Sequence, residues 1–408
     1  MSKLYILLIF LLTTSIGYSQ TKSWLHVDGN VIKDTTGNPV TLRGVSIIAP
    51  EYANRNPGNP KTPAEYIAWL ADSTRGWYSR ILRIPVCELN TTPEKAYNFI
   101  DPLVQQAISL GLYVIIDFHN VSDYGSGGTS QFTVLNFWKY FAPRYANSSN
   151  VLFEVYNEPV KPADWTQWKN FIQPVVNAIR AVAPKNIILM GSPQWSTYTN
   201  SAVSNPIYGD NIVYVFHIYP NQGVPTSYLL DSKFGNAAKS IPVMITEFGW
   251  NQNAGYSDAI TYGKTSNWGI PFRTYMDAHS NISWVNWVFD NYWMPSIFDQ
   301  NWDIMGDENQ GEFIRKWLAD SYKTTTGVEN ARSNYSRLAI YVIDGKISVS
   351  LDEINRVDVY SVTGKLITSL IASDNNISIN NTLNNGFYII RAYNESGLAF
   401  TKKMLVIN

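Results

Sequence analysis

The sequence predicts an α/β fold, a closed (β/α)8 TIM barrel followed by a small all-β sandwich domain, and three observations carry that reading. Eight apolar runs of strand length alternate with stretches of helical period, polar residues gather at the ends of six of those runs, and the composition changes abruptly near residue 320. The runs are 41–48, 81–86, 112–118, 151–156, 187–190, 212–216, 243–246 and 283–288, the number that closes a parallel barrel. Helices are expected between them at 63–72, 102–110, 132–146, 165–182 and 256–278, with one more near 312–319 to complete the ring. A doubly wound open sheet also alternates strands and helices, but it gathers its ligand at one crevice. Polar groups at six strand ends favour the ring.

Before the barrel, residues 1–19 read as an export signal. Lys3 precedes an apolar run over 4–12, and Gly17 and Ser19 frame a cleavage site, so the mature chain is expected to begin near Gln20. As a membrane anchor the run is well short of the roughly 20 apolar residues a spanning helix needs. Residues 25–40 read as a hairpin that packs against the barrel, with turns at Asp28-Gly29-Asn30 and Thr36-Gly37-Asn38.

After the barrel, residues 321–336 form a polar linker and 337–408 hold short alternating strands, with Gly345, Gly364, Gly386 and Gly397 at turns. All 14 tryptophans lie between Trp24 and Trp317, so the tail has none, and it has no clustered carboxylates. Catalysis is therefore expected in residues 20–320.

Basic and acidic side chains balance, 31 against 32, which excludes the electrostatic footprint of a nucleic-acid or anionic-membrane partner. Cys87 is the only cysteine, so neither an intramolecular disulfide nor a cysteine-based zinc cluster can form. Its place at the end of an apolar strand predicts a buried, inert thiol.

In a parallel barrel the active site is built at the C-terminal strand ends. Here those ends carry Arg83, His119, Asn157 with Glu158, His217 with Tyr219, Glu247, and Trp287. Two carboxyl groups are what glycosidic hydrolysis needs, one protonated to assist the leaving oxygen and one ionised to attack or to activate water. Glu158 and Glu247 fit. We read Arg83 and Tyr219 as serving Glu247 and His217 as nearer Glu158, with the reverse pairing open. Glu154 shares the inward parity of Glu158 and is read as structural, with Arg43 as candidate partner. Asp117, Asp290 and Asp303 lack equally placed companions. Each residue also has a plain reading: Arg83 as a structural ion pair, the histidines as satisfied polar residues, Trp287 as core. Tyr52, Tyr124, Trp195, Trp250 and Trp293 follow strand ends and are candidate sugar platforms.

Taken together, Asn157-Glu158-Pro159, His217-x-Tyr219, Glu247-Phe248-Gly249 and Trp287, in that order and at barrel spacing, resemble glycoside hydrolase family 5, the family of many cellulases and mannanases. The resemblance spans residues 25–319. It implies Glu158 as acid/base and Glu247 as nucleophile with net retention, and it makes Arg83, His119, Asn157, His217, Tyr219 and Trp287 substrate-binding positions. It implies no metal and no organic cofactor. The loops 49–60 and 121–129 fit no family-wide pattern.

The tail, through VDVYSVTGKLI, Gly386-Phe387-Tyr388 and the closing KKMLVIN, resembles the type IX secretion sorting domain, which implies outer-membrane secretion machinery as a partner. A small carbohydrate-binding module is the other reading, and the missing tryptophan weighs against it. The expected function is endo-acting cleavage of β-1,4-glucan by a secreted or cell-surface monomer acting on a polysaccharide or oligosaccharide. The rivals are a β-mannanase or other β-glucanase with the same carboxylates, and a carbohydrate-binding surface protein that has lost catalysis.

Overall fold

The computed structural model describes residues 22–53, 61–87, 92–253 and 259–325, together with strands between 339 and 406. The expected export signal lies outside the described residues. Among the described residues no helix is long and apolar enough to cross a membrane.

Eight parallel strands close the barrel: Arg43–Ile47, Ile81–Val86, Tyr113–Phe118, Val151–Glu154, Ile188–Met190, Ile212–Ile218, Val243–Phe248 and Ser283–Phe289. They coincide with the eight apolar runs because each strand is buried on both faces, which is what a near-continuous run of Val, Ile and Leu encodes. Alternate side chains then separate two cores. Leu82, Ile84, Ile116, Phe153 and Phe216 face the helices, whereas Ile81, Ile115, Leu152, Val213, Val215 and Met244 fill the barrel interior. The hairpin of Leu25–Asp28 and Val31–Asp34 adds Leu25 and Ile32 to that interior cluster. It covers the end of the barrel where the strands begin.

The helices start where side chains cap them. Thr62 closes a capping box with Glu65 ahead of Pro63–Leu70, and Ser130 and Asp164 cap Gln131–Tyr145 and Trp165–Val182. Two helices differ from expectation. The second runs Pro93–Ser109, capped by Thr92, so the predicted start at Pro102 is nine residues late, and Pro102 lies on the exposed side inside the helix. The helix expected over 256–278 is α-helical only at Ile270–Ala278, preceded by a π turn at Thr265–Gly269. Ahead of it Tyr262 bridges to Asn251, which claims that stretch for the rim.

A separate unit begins at Ala319. The last barrel helix, Gln310–Thr325, continues into the stretch read as linker, since Ser321 to Thr325 contains neither Gly nor Pro to stop it. Beyond it the unit is all-β, with one three-stranded and one four-stranded antiparallel sheet. Gly386 and Gly397 open strands there, and Gly345 and Gly364 lie outside the described residues.

Candidate active site

Above the apolar layers the inward-facing positions turn charged. Ile81 is followed on the same face by Arg83, Ile115 by Asp117, Leu152 by Glu154 and Val215 by His217. The pairing of strands six and seven shifts register between Phe216 and His217, so that His217 faces Glu247 and Thr246 is the extra residue. A bulge of this kind re-aims side chains. It lets the adjacent Thr246 and Glu247 both reach the interior.

Arg83 is the hub and is fully buried. Its Nε donates to Glu154 Oε2 at 2.6 Å, Nη1 to Glu247 Oε1 at 2.8 Å and Nη2 to Asn157 Oδ1 at 2.6 Å, and Nη2 also forms an ion pair with Asp117 Oδ2 at 2.9 Å. The second oxygen of Glu247 accepts from the Tyr219 hydroxyl at 2.8 Å. His217 Nδ1 lies 2.7 Å from Glu158 Oε1, and its Nε2 lies 2.9 Å from Thr246 Oγ1, whose hydroxyl donates to Glu154 Oε1 at 2.7 Å. Since the threonine hydrogen is used on Glu154, His217 Nε2 must donate. Glu158 is itself tied down by the pairing of Val121–Ser122 with Glu158–Pro159.

Burial opposes charge on each of these groups, and the partners decide the outcome. Burial alone would raise the Glu247 carboxyl, but His217 and Arg83 outweigh it and hold the carboxyl below the usual range. Burial likewise raises Glu154, and Arg83 with His217 brings it down to about 2 from a usual 4.5. For His217 burial lowers the imidazole, yet Glu247, Glu154 and Glu158 lift it to about 10 from a usual 6.5. At neutral pH His217 is therefore an imidazolium.

These two shifts bound the stability of the fold. The Glu154 contribution is present above pH 4.5 and is lost as pH falls toward about 2, because its folded value is depressed. The His217 contribution is complete below pH 6.5 and is lost as pH rises through about 10, because its folded value is raised. The melting temperature is expected to fall on both sides of that range. A plateau extending unchanged beyond pH 10 in a thermal melt series would contradict the imidazolium.

His119, Asn157, Glu158, His217, Tyr219, Glu247 and Trp287 line one cavity of about 550 Å³. Arg83 does not. The substrate-binding position expected for it is corrected here, because it lies beneath the floor with its N–H groups committed to Glu154, Glu247, Asn157 and Asp117. Glu154 is also corrected: its partner is Arg83, while Arg43 pairs with Asp277 at 3.3 Å. Arg43 opens the first strand and Glu154 closes the fourth, so they sit at opposite ends of the barrel.

Among the candidate platforms, Tyr124 and Trp250 are buried and serve packing, Tyr124 against Trp168 and Trp250 against Trp268. Tyr52 and Trp293 are half-buried and pack on each other at 6.0 Å. Trp195 is 49% exposed and lines the cavity. It sits in a run of left-handed backbone, Gln194, Trp195 and Ser196, with φ of 56°, 57° and 56°. Such residues cost about 1–2 kcal/mol each and persist only where surroundings hold them. Ser196 Oγ does so by donating to Asn157 O at 2.6 Å. Sequence reading missed the cavity residues Gln194, Thr197, Asn221, Gln222 and Lys233, which come from loops and short helical turns after the strands that carry no long periodic signal.

Glu158, His217 and Glu247 bring possible metal-donor atoms within 4.8 Å of one another. A metal needs a neutral imidazole. An imidazole held as a cation, with Nε2 bonded to Thr246, is a poor ligand.

A parallel barrel with two carboxylates at the ends of its fourth and seventh strands is the architecture of barrel glycosidases. The chain belongs to glycosyl hydrolase family 5, whose cellulase family model matches residues 33–292. Residues 343–408 match the secretion system C-terminal sorting domain. An endoglucanase of Clostridium saccharobutylicum is 32% identical over 285 residues, covering 68% of this chain and 58% of that protein. Endoglucanase E-5 of Thermobifida fusca is 28% identical over 311 residues, covering 72% of this chain and 63% of that protein. The chain thus spans less than two thirds of the length of either. A β-glucanase of Saccharophagus degradans, crystallised with cellotetraose, superposes with a TM-score of 0.65 at 26% identity over 74% of this chain and 94% of that one.

Proposed function

We propose that this protein is an exported, retaining, endo-acting β-1,4-glucanase in which Glu247 is the nucleophile and Glu158 the general acid/base. The observation that carries the reading is the approach of the two carboxylates, with donor atoms inside 4.8 Å. Retaining enzymes hold their carboxyls about 5–5.5 Å apart and inverting ones about 6.5–9.5 Å, the wider gap leaving room for a water. The choice of glucan leans on the relatives, which carry the names endoglucanase and β-glucanase.

In the first step a Glu247 oxygen attacks the anomeric carbon, the bond from that carbon to the leaving oxygen breaks, and Glu158 supplies the proton that the leaving oxygen takes. Arg83 and Tyr219 hold Glu247 ionised and aimed. Glu158 enters this step carrying its own proton, while its Oε1 accepts from the His217 Nδ1–H at 2.7 Å. As the ester forms, Glu247 loses its charge while Glu158 gains one, so the charge facing His217 is exchanged rather than changed. In the second step Glu158 takes a proton from water, the water oxygen attacks the anomeric carbon, and Glu247 leaves as carboxylate. Asn157 and His119 face the sugar hydroxyls, and Trp287 and Trp195 offer ring faces to apolar pyranose surfaces.

The whole chain is read as a signal peptide over 1–19, a catalytic unit from residue 20 whose last helix runs on to Thr325, a linker over the rest of 321–336 and a sorting unit over 337–408, acting as a monomer. The sorting unit engages outer-membrane secretion machinery, and no metal or cofactor takes part.

The test is reducing-end release by the mature chain on soluble cellulose derivative, mixed-linkage glucan, glucomannan, mannan and xylan, with the first-formed anomer followed by proton NMR. Cleavage of β-1,4-glucan with the β-anomer appearing first is expected. Mannan as preferred substrate would move the assignment to a mannanase, an α-anomer first would exclude the nucleophile role, and binding without turnover would leave a lectin-like protein.

A further inference from the structure

Asp117 is a buried carboxylate that the double displacement does not use. It sits at the end of the third strand, fully buried, and only its Oδ2 has partners: Arg83 Nη2 at 2.9 Å and His119 Nδ1 at 2.7 Å. Oδ1 is buried without a hydrogen-bond partner among the described residues. Glu154, Cys87 and Glu51 complete the titratable groups around this corner, and Cys87 N donates to Glu51 Oε1 at 3.1 Å.

His119 is pinned from two directions. Its ring lies parallel to the Trp287 indole, with an interplanar angle of 4° and centroids 5.7 Å apart, and its Nδ1 is turned to Asp117. That leaves Nε2 as the ring nitrogen available to the cavity, which His119 lines beside Glu247. The second ring nitrogen of a histidine takes its role from the bond the first one makes.

Resting on the glycosidase reading of the site, we propose that Asp117 is a positioning residue that fixes His119 in the Nδ1–H tautomer. Nε2 then presents a lone pair to the cavity and accepts a hydrogen bond from a pyranose hydroxyl held beside Glu247. Burial pushes the Asp117 carboxyl up, but the Arg83 cation lies 2.9 Å from Oδ2 and favours the ionised form, so the proton in the 2.7 Å contact is assigned to Nδ1. With Oδ2 protonated and donating to Nδ1 instead, the ring's own proton would sit on Nε2, and His119 would face the sugar as a donor. The two arrangements select opposite partners. An acceptor at Nε2 favours a sugar that keeps its hydroxyl over one with fluorine at that position, since fluorine cannot donate.

The mature chain with nitrogen-15 histidine answers this directly, because only four histidines are present. Two-bond nitrogen–proton correlations, at a pH high enough to leave the His119 ring neutral, are expected to report Nδ1–H for it, and addition of cellotetraose is expected to shift its Nε2 resonance. An Nε2–H tautomer in the wild-type spectrum overturns the proposal, whatever any variant does. Kinetics add a second arm. Asp117→Asn and His119→Gln should each lower kcat/KM about 10- to 100-fold, the cost of leaving one enclosed sugar hydroxyl without its acceptor. The double variant should lose no more than His119→Gln alone, whereas multiplying losses would show that Asp117 acts through Arg83 and overturn the assignment. Absence of turnover in a wild type that retains Nδ1–H would count against the glycosidase reading and leave the tautomer standing.

Discussion

Replacing Glu247 by glutamine is expected to lower turnover at least about 10⁴-fold without unfolding the protein, since losing the attacking group of a concerted site costs at least that much. The fold should survive because the substitution is nearly isosteric. The glutamine carbonyl oxygen accepts from Arg83 where Oε1 did, and the Tyr219 hydroxyl, which now donates to Oε2, can rotate to accept from the new amide. Charge also stays tolerable: the Arg83 and His217 cations would still face Asp117 and Glu154. One consequence separates this variant from a simple loss of shape. Glu247 is the foremost influence raising His217, so His217 should lose its proton at a lower pH in Glu247→Gln. A chemical check goes further, using Glu247→Gly with azide and an aryl β-glucoside or cellobioside. Azide nitrogen attacks the anomeric carbon from the vacated face, the aryloxide leaves, and an α-glycosyl azide forms. A β-azide would mean that the small nucleophile entered from the other face and would remove Glu247 from the role.

The barrel was legible in the sequence because each strand is buried on both faces and bounded by polar loops, so burial and periodicity gave the same boundaries at 81–86 and nearly the same elsewhere. What composition could not supply was depth. Arg43 and Arg83 are both arginines on inward-reaching strands, yet one lies at the closed end with Asp277 and the other beneath the cavity, and only the three-dimensional stagger tells them apart. Asp117 had a signal, two residues before His119 on the same face, but its second partner comes from the neighbouring strand. Thr246 was hidden by a bulge, which breaks the alternation that sequence reading relies on. Tyr124 and Trp195 show the same limit for aromatic residues. Both follow strand ends, but Tyr124 places its hydroxyl on Pro162 O and is buried, while the left-handed turn at Gln194 to Ser196 lifts Trp195 into the cavity.

The largest loss of stability is expected at Arg83, because three carboxylates depend on it. Arg83→Met keeps much of the side-chain volume and removes the guanidinium paired with Asp117, Glu154 and Glu247. Breaking a buried pair typically costs about 3–5 kcal/mol, since the partner is left charged and unsolvated. Here several partners are stranded together, with His217 as the remaining cation beside Glu154 and Glu247. The sign of the pH dependence should also change. In the wild type Glu154 is held down to about 2 and stabilises the fold at neutral pH. Without the guanidinium, burial raises the carboxyls above their unfolded values, so the variant should be most stable where they are protonated and should weaken as pH rises through the carboxylate range. Melting Arg83→Met from pH 4 to 8 tests this, with the wild type as reference. Arg83→Lys should recover part of the stability but little turnover, since one ammonium supplies the charge without the planar fork that holds Glu154, Asn157 and Glu247 at once. Equal melting temperatures for Arg83→Met and wild type at neutral pH would mean that the carboxylates take up protons or water at no cost, and the hub described above would then not be what holds the site together.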